Sequence, residues 1–183
     1  MRKLPTVPTG SGPRFVRHTG TVAFIDVFDD SGEVLAPEQM LRVVQDATLL
    51  LAREPFQTRA PEATLARLVA LGVRAVLAFG FEPQIYGKLV AAGLLPLPLE
   101  EATLATLVER VATRPGDPVT VDLDRQVIET PAGDPLPFSA DPRTRNKLLW
   151  GLTDLEEKVR HTERAAALRS ADRAQRPWLY EDK

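Results

Sequence analysis

The chain has 183 residues, 44% hydrophobic and 26% charged, with 23 basic and 25 acidic side chains for a net charge of −2. That balance carries no electrostatic footprint for nucleic acid or an anionic membrane, and a chain of this length fits one domain burying roughly 70% of its unfolded surface. Cysteine is absent, which excludes disulfides, thiolate-ligated zinc or iron–sulfur centres and cysteine nucleophiles within this sequence, so no metal site is assigned.

Residues 1–14 are polar and rich in proline and glycine. They read as a flexible tail ahead of a single domain over residues 15–183. The tail lacks the apolar segment of a signal peptide, and the sequence has no run of 18 apolar residues, so a soluble, cytoplasmic protein is expected. Gly20 to Phe28 reads as a strand, and Asp29-Asp30-Ser31-Gly32 as a turn. Pro37 to Val44 reads as a short helix opened by its proline. Ala47 to Arg53 is a short apolar run read as a buried strand, with a helix as the alternative.

Ala60 to Leu71 reads as a helix with Leu65, Leu68 and Val69 on its apolar face and Gly72 as its stop. Val73 to Phe79 reads as a strand buried on both faces. Pro83 opens a helix with Ile85, Leu89 and Val90 inward and Gly93 as its cap, and Leu94 to Leu99 is a further strand. This alternation predicts a parallel βαβ unit. Glu100 to Thr113 is an amphipathic helix whose acidic start suits the positive helix end. Val119 to Leu123 reads as a half-buried strand, and Val127 to Thr130 with Leu136 to Ser139 as a hairpin. Asp141 to Leu152 reads as a helix, and Thr153 with Glu156 as the capping box of a last one.

Several of these segments, in order, resemble one family. Gly72-Val73-Arg74-Ala75-Val76-Leu77-Ala78, followed without a gap by a helix and Gly93-Leu94-Leu95-Pro96, is similar to a strand and helix of the 3-isopropylmalate dehydratase (isopropylmalate isomerase) small subunits. Val119 to Leu123, Asp141-Pro142, Lys147 to Asp154 and Arg176 to Leu179 have counterparts there, as do His18 to Ala23, Pro37 to Leu41 and Leu50 to Phe56. The resemblance runs from residue 17 to residue 179. It implies an α/β fold, the swivelling β/β/α domain of the aconitase superfamily. It further implies a hydro-lyase subunit that dehydrates and rehydrates a small hydroxy-diacid, in leucine biosynthesis or a related pathway. The Lewis acid of that chemistry would be a [4Fe-4S] cluster on a partner large subunit.

In the family a Gly-Ser-Ser-Arg-Glu-His loop supplies a serine base and an arginine that grips a substrate carboxylate. Here the loop reads Phe56-Gln57-Thr58-Arg59-Ala60-Pro61-Glu62. Anchored on Ala60-Pro61, the Ser-Arg pair becomes Thr58 as candidate base and Arg59 as candidate substrate clamp. Anchored on the downstream helix, the serines become Arg59 and Ala60 and the arginine becomes Pro61. Both placements stay open. Thr58 has a second reading as a helix cap. The other active-site loop has changed to Asp29-Asp30-Ser31-Gly32-Glu33, with Glu38 where the family has lysine, and Lys88 and Ala92 replace asparagines. These changes motivate two alternatives: a catalytically degenerate subunit with a structural or regulatory role, or one acting on a different hydroxy-diacid. Asp29, Asp30, Glu33 and Glu38 read as a solvated loop, His18 as a solvent-facing strand residue, and Trp150 and Trp178 as core or interface anchors.

Overall fold

A computed structural model describes residues 10–42, 44, 46–153, 156 and 172. The last helix expected beyond Thr153 lies outside the described residues, apart from Glu156 and Asp172, and so does Trp178. Thirteen elements follow in chain order: β1 (Arg17–Gly20), β2 (Val22–Ile25), α1 (Pro37–Met40), β3 (Leu49–Ala52), α2 (Pro61–Ala70), β4 (Ala75–Ala78), α3 (Pro83–Ala91), β5 (Leu95–Pro98), α4 (Glu101–Thr113), β6 (Val119–Asp122), β7 (Val127–Glu129), β8 (Leu136–Pro137) and α5 (Pro142–Trp150).

The strands form two four-stranded sheets, β2-β3-β4-β5 and β1-β6-β7-β8. The first is parallel, with Ile25 beside Ala52 and Leu51 beside Leu77. The second is antiparallel, with Gly20 beside Val119. The strand expected over Gly20 to Phe28 is therefore two strands in two sheets, divided at Thr21. Gly20 sits at this crossing because a Cβ there would lie 1.9 Å from the Thr48 hydroxyl oxygen. The chain passes too close for any larger residue.

Side-chain alternation builds the layers. Leu49, Leu51, Leu77 and Leu97 point to one face of the parallel sheet. There they join Val119, Val121 and Ile128 of the antiparallel sheet, Leu104 and Leu107 of α4, and Leu148 of α5. Leu50, Ala52, Val76 and Ala78 point to the other face, against Met40 of α1, Leu68 of α2 and Ile85 and Leu89 of α3. Each fully buried leucine contributes roughly 1.5–3 kcal/mol relative to exposure.

Burial corrects three expectations. The β6 strand is buried on both faces, including Thr120 and Asp122. Its polar residues are satisfied rather than solvated: Thr19 and Thr120 share a 2.7 Å hydroxyl bond, and Asp122 accepts from the Arg125 amide at 2.8 Å. Val69 is 53% exposed and Phe79 51% exposed. Thr64, not Val69, joins Leu68 as a buried residue of α2.

Gly10 to Arg14, read from sequence as part of a flexible tail, make defined bonds. The Gly10 and Gly12 amides donate to the Trp150 and Gly151 carbonyls, both at 2.7 Å. Gly151 ends α5 with φ of 62°, a left-handed turn that glycine makes without steric cost. The Thr153 amide donates to Glu156 Oε2 at 2.8 Å, and the Glu156 amide returns to Thr153 Oγ1 at 3.3 Å. This is the reciprocal capping box read from the sequence.

Candidate functional site

Parallel α/β sheets place ligand-binding loops at the carboxyl ends of their strands. Three connections meet there: residues 26–36 after β2, residues 53–60 after β3 and residues 79–82 after β4. Phe56 ties the second to the third. Its amide donates to the Gly80 carbonyl at 2.8 Å, its carbonyl accepts from the Glu82 amide at 3.0 Å, and its ring packs 5.9 Å from that of Phe81.

The first connection is a closed turn. Asp29 Oδ1 accepts from the Ser31 amide, the Ser31 hydroxyl and the Glu33 amide at 2.9, 2.6 and 2.9 Å. The Asp29 amide donates to the Glu33 carbonyl at 2.9 Å, and Phe28 bridges to Val34. These bonds favour the charged carboxylate, so Asp29 is held below its ordinary range, with the Ser31 hydroxyl bond as the largest cause. The acidic residues Asp29, Asp30, Glu33 and Glu38 are all exposed, as read from the sequence, and the Asp29 turn orders the Glu33 backbone.

Thr58 and Arg59 lie side by side in sequence but face different surroundings. Thr58 is 6% exposed. Its hydroxyl lies 2.7 Å from that of Thr64 and accepts from the Ala60 amide at 3.1 Å. This local turn feeds the chain into α2, whose cap position is Ala60 with no side-chain cap bond. The hydroxyl therefore supports the helix start from two residues upstream of the cap. Arg59 points outward, its side chain 67% exposed, and pairs with the Glu33 carboxylate across the two loops. A second ion pair joins Lys88 on α3 to Glu62 on α2.

Neither Glu33 nor Thr64 was singled out as a partner from the sequence. Thr64 carries a usable signal, since it stands four residues before Leu68 on the same helical face. Glu33 carries none, because nothing local links it to a residue 26 positions away. Two further groups mark the 53–60 loop. Arg53 lies over the Phe24 ring, its guanidinium carbon 5.7 Å from the centroid. Glu54 has one carboxylate oxygen buried without a hydrogen-bond partner. Such an orphan costs free energy.

His18 is half-buried rather than solvent-facing. Its Nε2 lies 2.7 Å from the Thr48 hydroxyl oxygen. Burial, then the nearby Arg74, holds it below its ordinary range. It belongs to the junction between the sheets and is not part of the loop cluster. A cleft of about 310 Å³ opens at the end of β5, between the start of α4 and β8, lined by Leu99, Glu100, Phe138 and Ser139 among others. Its only charged lining residue is an acid, which suits an anionic ligand poorly.

A resident iron–sulfur cluster does not fit this chain: it has no cysteine. Among the described residues no group of three or more histidine, aspartate or glutamate side chains could hold a metal ion. Among them, too, no helix is long and apolar enough to cross a membrane.

The fold and loops define a class: an α/β domain with a helix-covered parallel sheet, an antiparallel sheet against its other face, and an exposed arginine, Arg59, in the loops at the parallel strand ends. The comparisons agree with it. A solved structure of 3-isopropylmalate dehydratase (leuD) from Methanocaldococcus jannaschii superposes with a TM-score of 0.55, covering 83% of this chain and 99% of that one at 16% identity. The LeuD_N family model matches residues 105–142, from within α4 to the first residue of α5. The 3-isopropylmalate dehydratase small subunit of Methylibium petroleiphilum is 37% identical over 138 residues, 73% of this chain. That of Delftia acidovorans is 36% identical over the same span. The match covers 62% of those relatives' own length. Over that span the chain is similar to the 3-isopropylmalate dehydratase small subunits, and it shares the fold of the leuD structure.

Proposed function

We propose that this chain, as a single domain over residues 15–183, is the small subunit of a cytoplasmic hydro-lyase of the 3-isopropylmalate dehydratase type. It closes over a large subunit and acts on a small hydroxy-diacid, in leucine biosynthesis or a related pathway. The observation that carries the reading is Arg59. It is presented outward from the carboxyl end of β3 by a turn whose hydroxyl anchor is buried. A planar guanidinium in that position can take a carboxylate through two parallel N–H bonds.

The reaction removes a proton beside a carboxylate and expels hydroxide, then reverses. A Lewis acid assists the departing hydroxide, and in this proposal it is a [4Fe-4S] cluster on the large subunit, because this chain lacks the thiolates to ligate one. The chain's own contribution is to grip and orient the diacid. Thr58 is the base that the family likeness offers. In the described geometry its hydroxyl is engaged by Thr64 and Ala60, which favours a positioning role in shaping the turn that presents Arg59.

A second reading has a specific observation behind it. With Thr58 turned inward and Arg59 held by Glu33, the chain suits a catalytically degenerate subunit that stabilises or regulates its partner. One assay separates the two. The chain is combined with a cluster-loaded 3-isopropylmalate dehydratase large subunit and given 3-isopropylmalate. Turnover is expected, and Arg59→Ala should lower kcat/KM about ten- to a hundred-fold, the worth of one charge-assisted bond. No turnover from a pair that an ordinary small subunit restores would favour the degenerate reading. Full turnover by the variant would remove Arg59 from the proposal.

A further inference from the structure

Glu33 and Arg59 come from separate connections, 26 positions apart in sequence, and meet at the carboxyl end of the parallel sheet. Both are carried on braced turns. Glu33 has its amide on Asp29 Oδ1 and its carbonyl on the Asp29 amide, both at 2.9 Å. Arg59 follows directly on Thr58, whose hydroxyl is fixed by Thr64 and the Ala60 amide. The two braced backbones therefore bring the carboxylate and the guanidinium within reach of each other.

We infer that Glu33 is an internal carboxylate that occupies the Arg59 guanidinium and must be displaced by a carboxylate of the incoming ligand. Glu33 thereby sets the affinity of this mouth for diacids. The inference rests on the proposed role of Arg59 as clamp. Glu33 presents to Arg59 the same group that a hydroxy-diacid brings, so the two compete for one set of donors. The pair is open to solvent, with side chains 67% and 62% exposed. An exposed pair is weak enough for a small anion to displace, and it reduces apparent affinity by the fraction of Arg59 left free. The expected penalty is about two- to five-fold at low salt.

The test follows the Arg59 side-chain N–H signal of the full chain by NMR, assigned with Arg59→Lys, during titration with malate as a plain hydroxy-diacid. Glu33→Gln keeps the backbone bonds of the turn, so the fold is retained. Its malate affinity at Arg59 should exceed that of the unaltered chain about two- to five-fold near 0.05 M salt, and the gap should narrow near 0.5 M salt as screening dissolves the pair. Glu33→Ala should behave as Glu33→Gln does. Equal affinities in the unaltered chain and both variants, while Arg59→Ala abolishes binding, would overturn the role of Glu33 and leave the clamp standing. Absence of malate binding at Arg59 in Glu33→Gln would also overturn the inference. Arg59→Ala binding as well as the unaltered chain would remove the clamp itself, and the inference with it.

Discussion

Thr58 and Thr64 face each other across the start of α2, their hydroxyl oxygens 2.7 Å apart and both side chains buried. The pair converts the connection after β3 from a loose loop into a fixed approach to the helix. It also decides how the neighbouring Arg59 is presented. A hydroxyl serving as base would have to leave this arrangement, whereas a hydroxyl serving as anchor needs only to stay in it.

Thr58→Val and Thr64→Val should each destabilise the fold by about 1–3 kcal/mol, because each leaves a buried hydroxyl or amide unpaired. The double variant should cost less than the sum, since it removes both members of one bond. Urea unfolding of the four proteins measures this. In a working pair with a large subunit, Thr58→Ser should keep near-full activity. Loss of about 10²-fold or more in Thr58→Val with stability unchanged would instead mark Thr58 as the base.

His18 gives the protein a weakness at mildly acidic pH. Burial, and secondarily Arg74, lowers its pKa from the ordinary 6.5. The folded state therefore binds this proton less readily than the unfolded chain does. Its contribution to stability is complete above about pH 6.5 and is lost as pH falls below that toward the folded value. Melting temperature should drop between about pH 7.5 and about pH 5.5, and His18→Gln should flatten that part of the profile. Parallel profiles for the two proteins would refute it.

Glu156 ties residues near the two ends of the described domain together. Its carboxylate is held at about 2 against an ordinary 4.5, chiefly by the Thr153 amide and hydroxyl and then by the Ser11 amide. A carboxylate with a depressed folded pKa stabilises above its ordinary value. That stabilisation fades as pH falls from 4.5 toward 2. Amide exchange at Ser11 and Thr153 should accelerate selectively over that interval, relative to core amides. Glu156→Gln should show the faster exchange already at neutral pH.

Packing assigns unequal costs to apolar residues that look alike in sequence. Leu77 is 1% exposed, between the two sheets, and Val69 is 53% exposed on α2. Leu77→Ala should cost about 2–5 kcal/mol and Val69→Ala within about 0.5 kcal/mol. Chemical denaturation of the pair would test the layer assignment directly.

Local chemistry was written plainly in the chain. Pro61, Pro83 and Pro142 open helices, and Gly72 and Gly93 follow helix ends with positive φ. The apolar runs 49–52 and 75–78 became buried parallel strands, because unbroken apolar runs suit a sheet covered on both faces. The capping box at Thr153 and the turn at Asp29 need only residues a few positions apart, so spacing alone predicts them. The absence of cysteine settles by itself that these 183 residues ligate no thiolate-bound cluster. Tertiary structure decided what depends on neighbours distant in sequence. It divided the first strand between two sheets at Thr21, buried β6 on both faces, turned Thr58 inward and placed Glu33 on Arg59. Periodicity reports which face of an element is apolar, but not what covers the other face. Likewise, a residue's type states which bonds it can make, while only the folded chain brings the partner within reach.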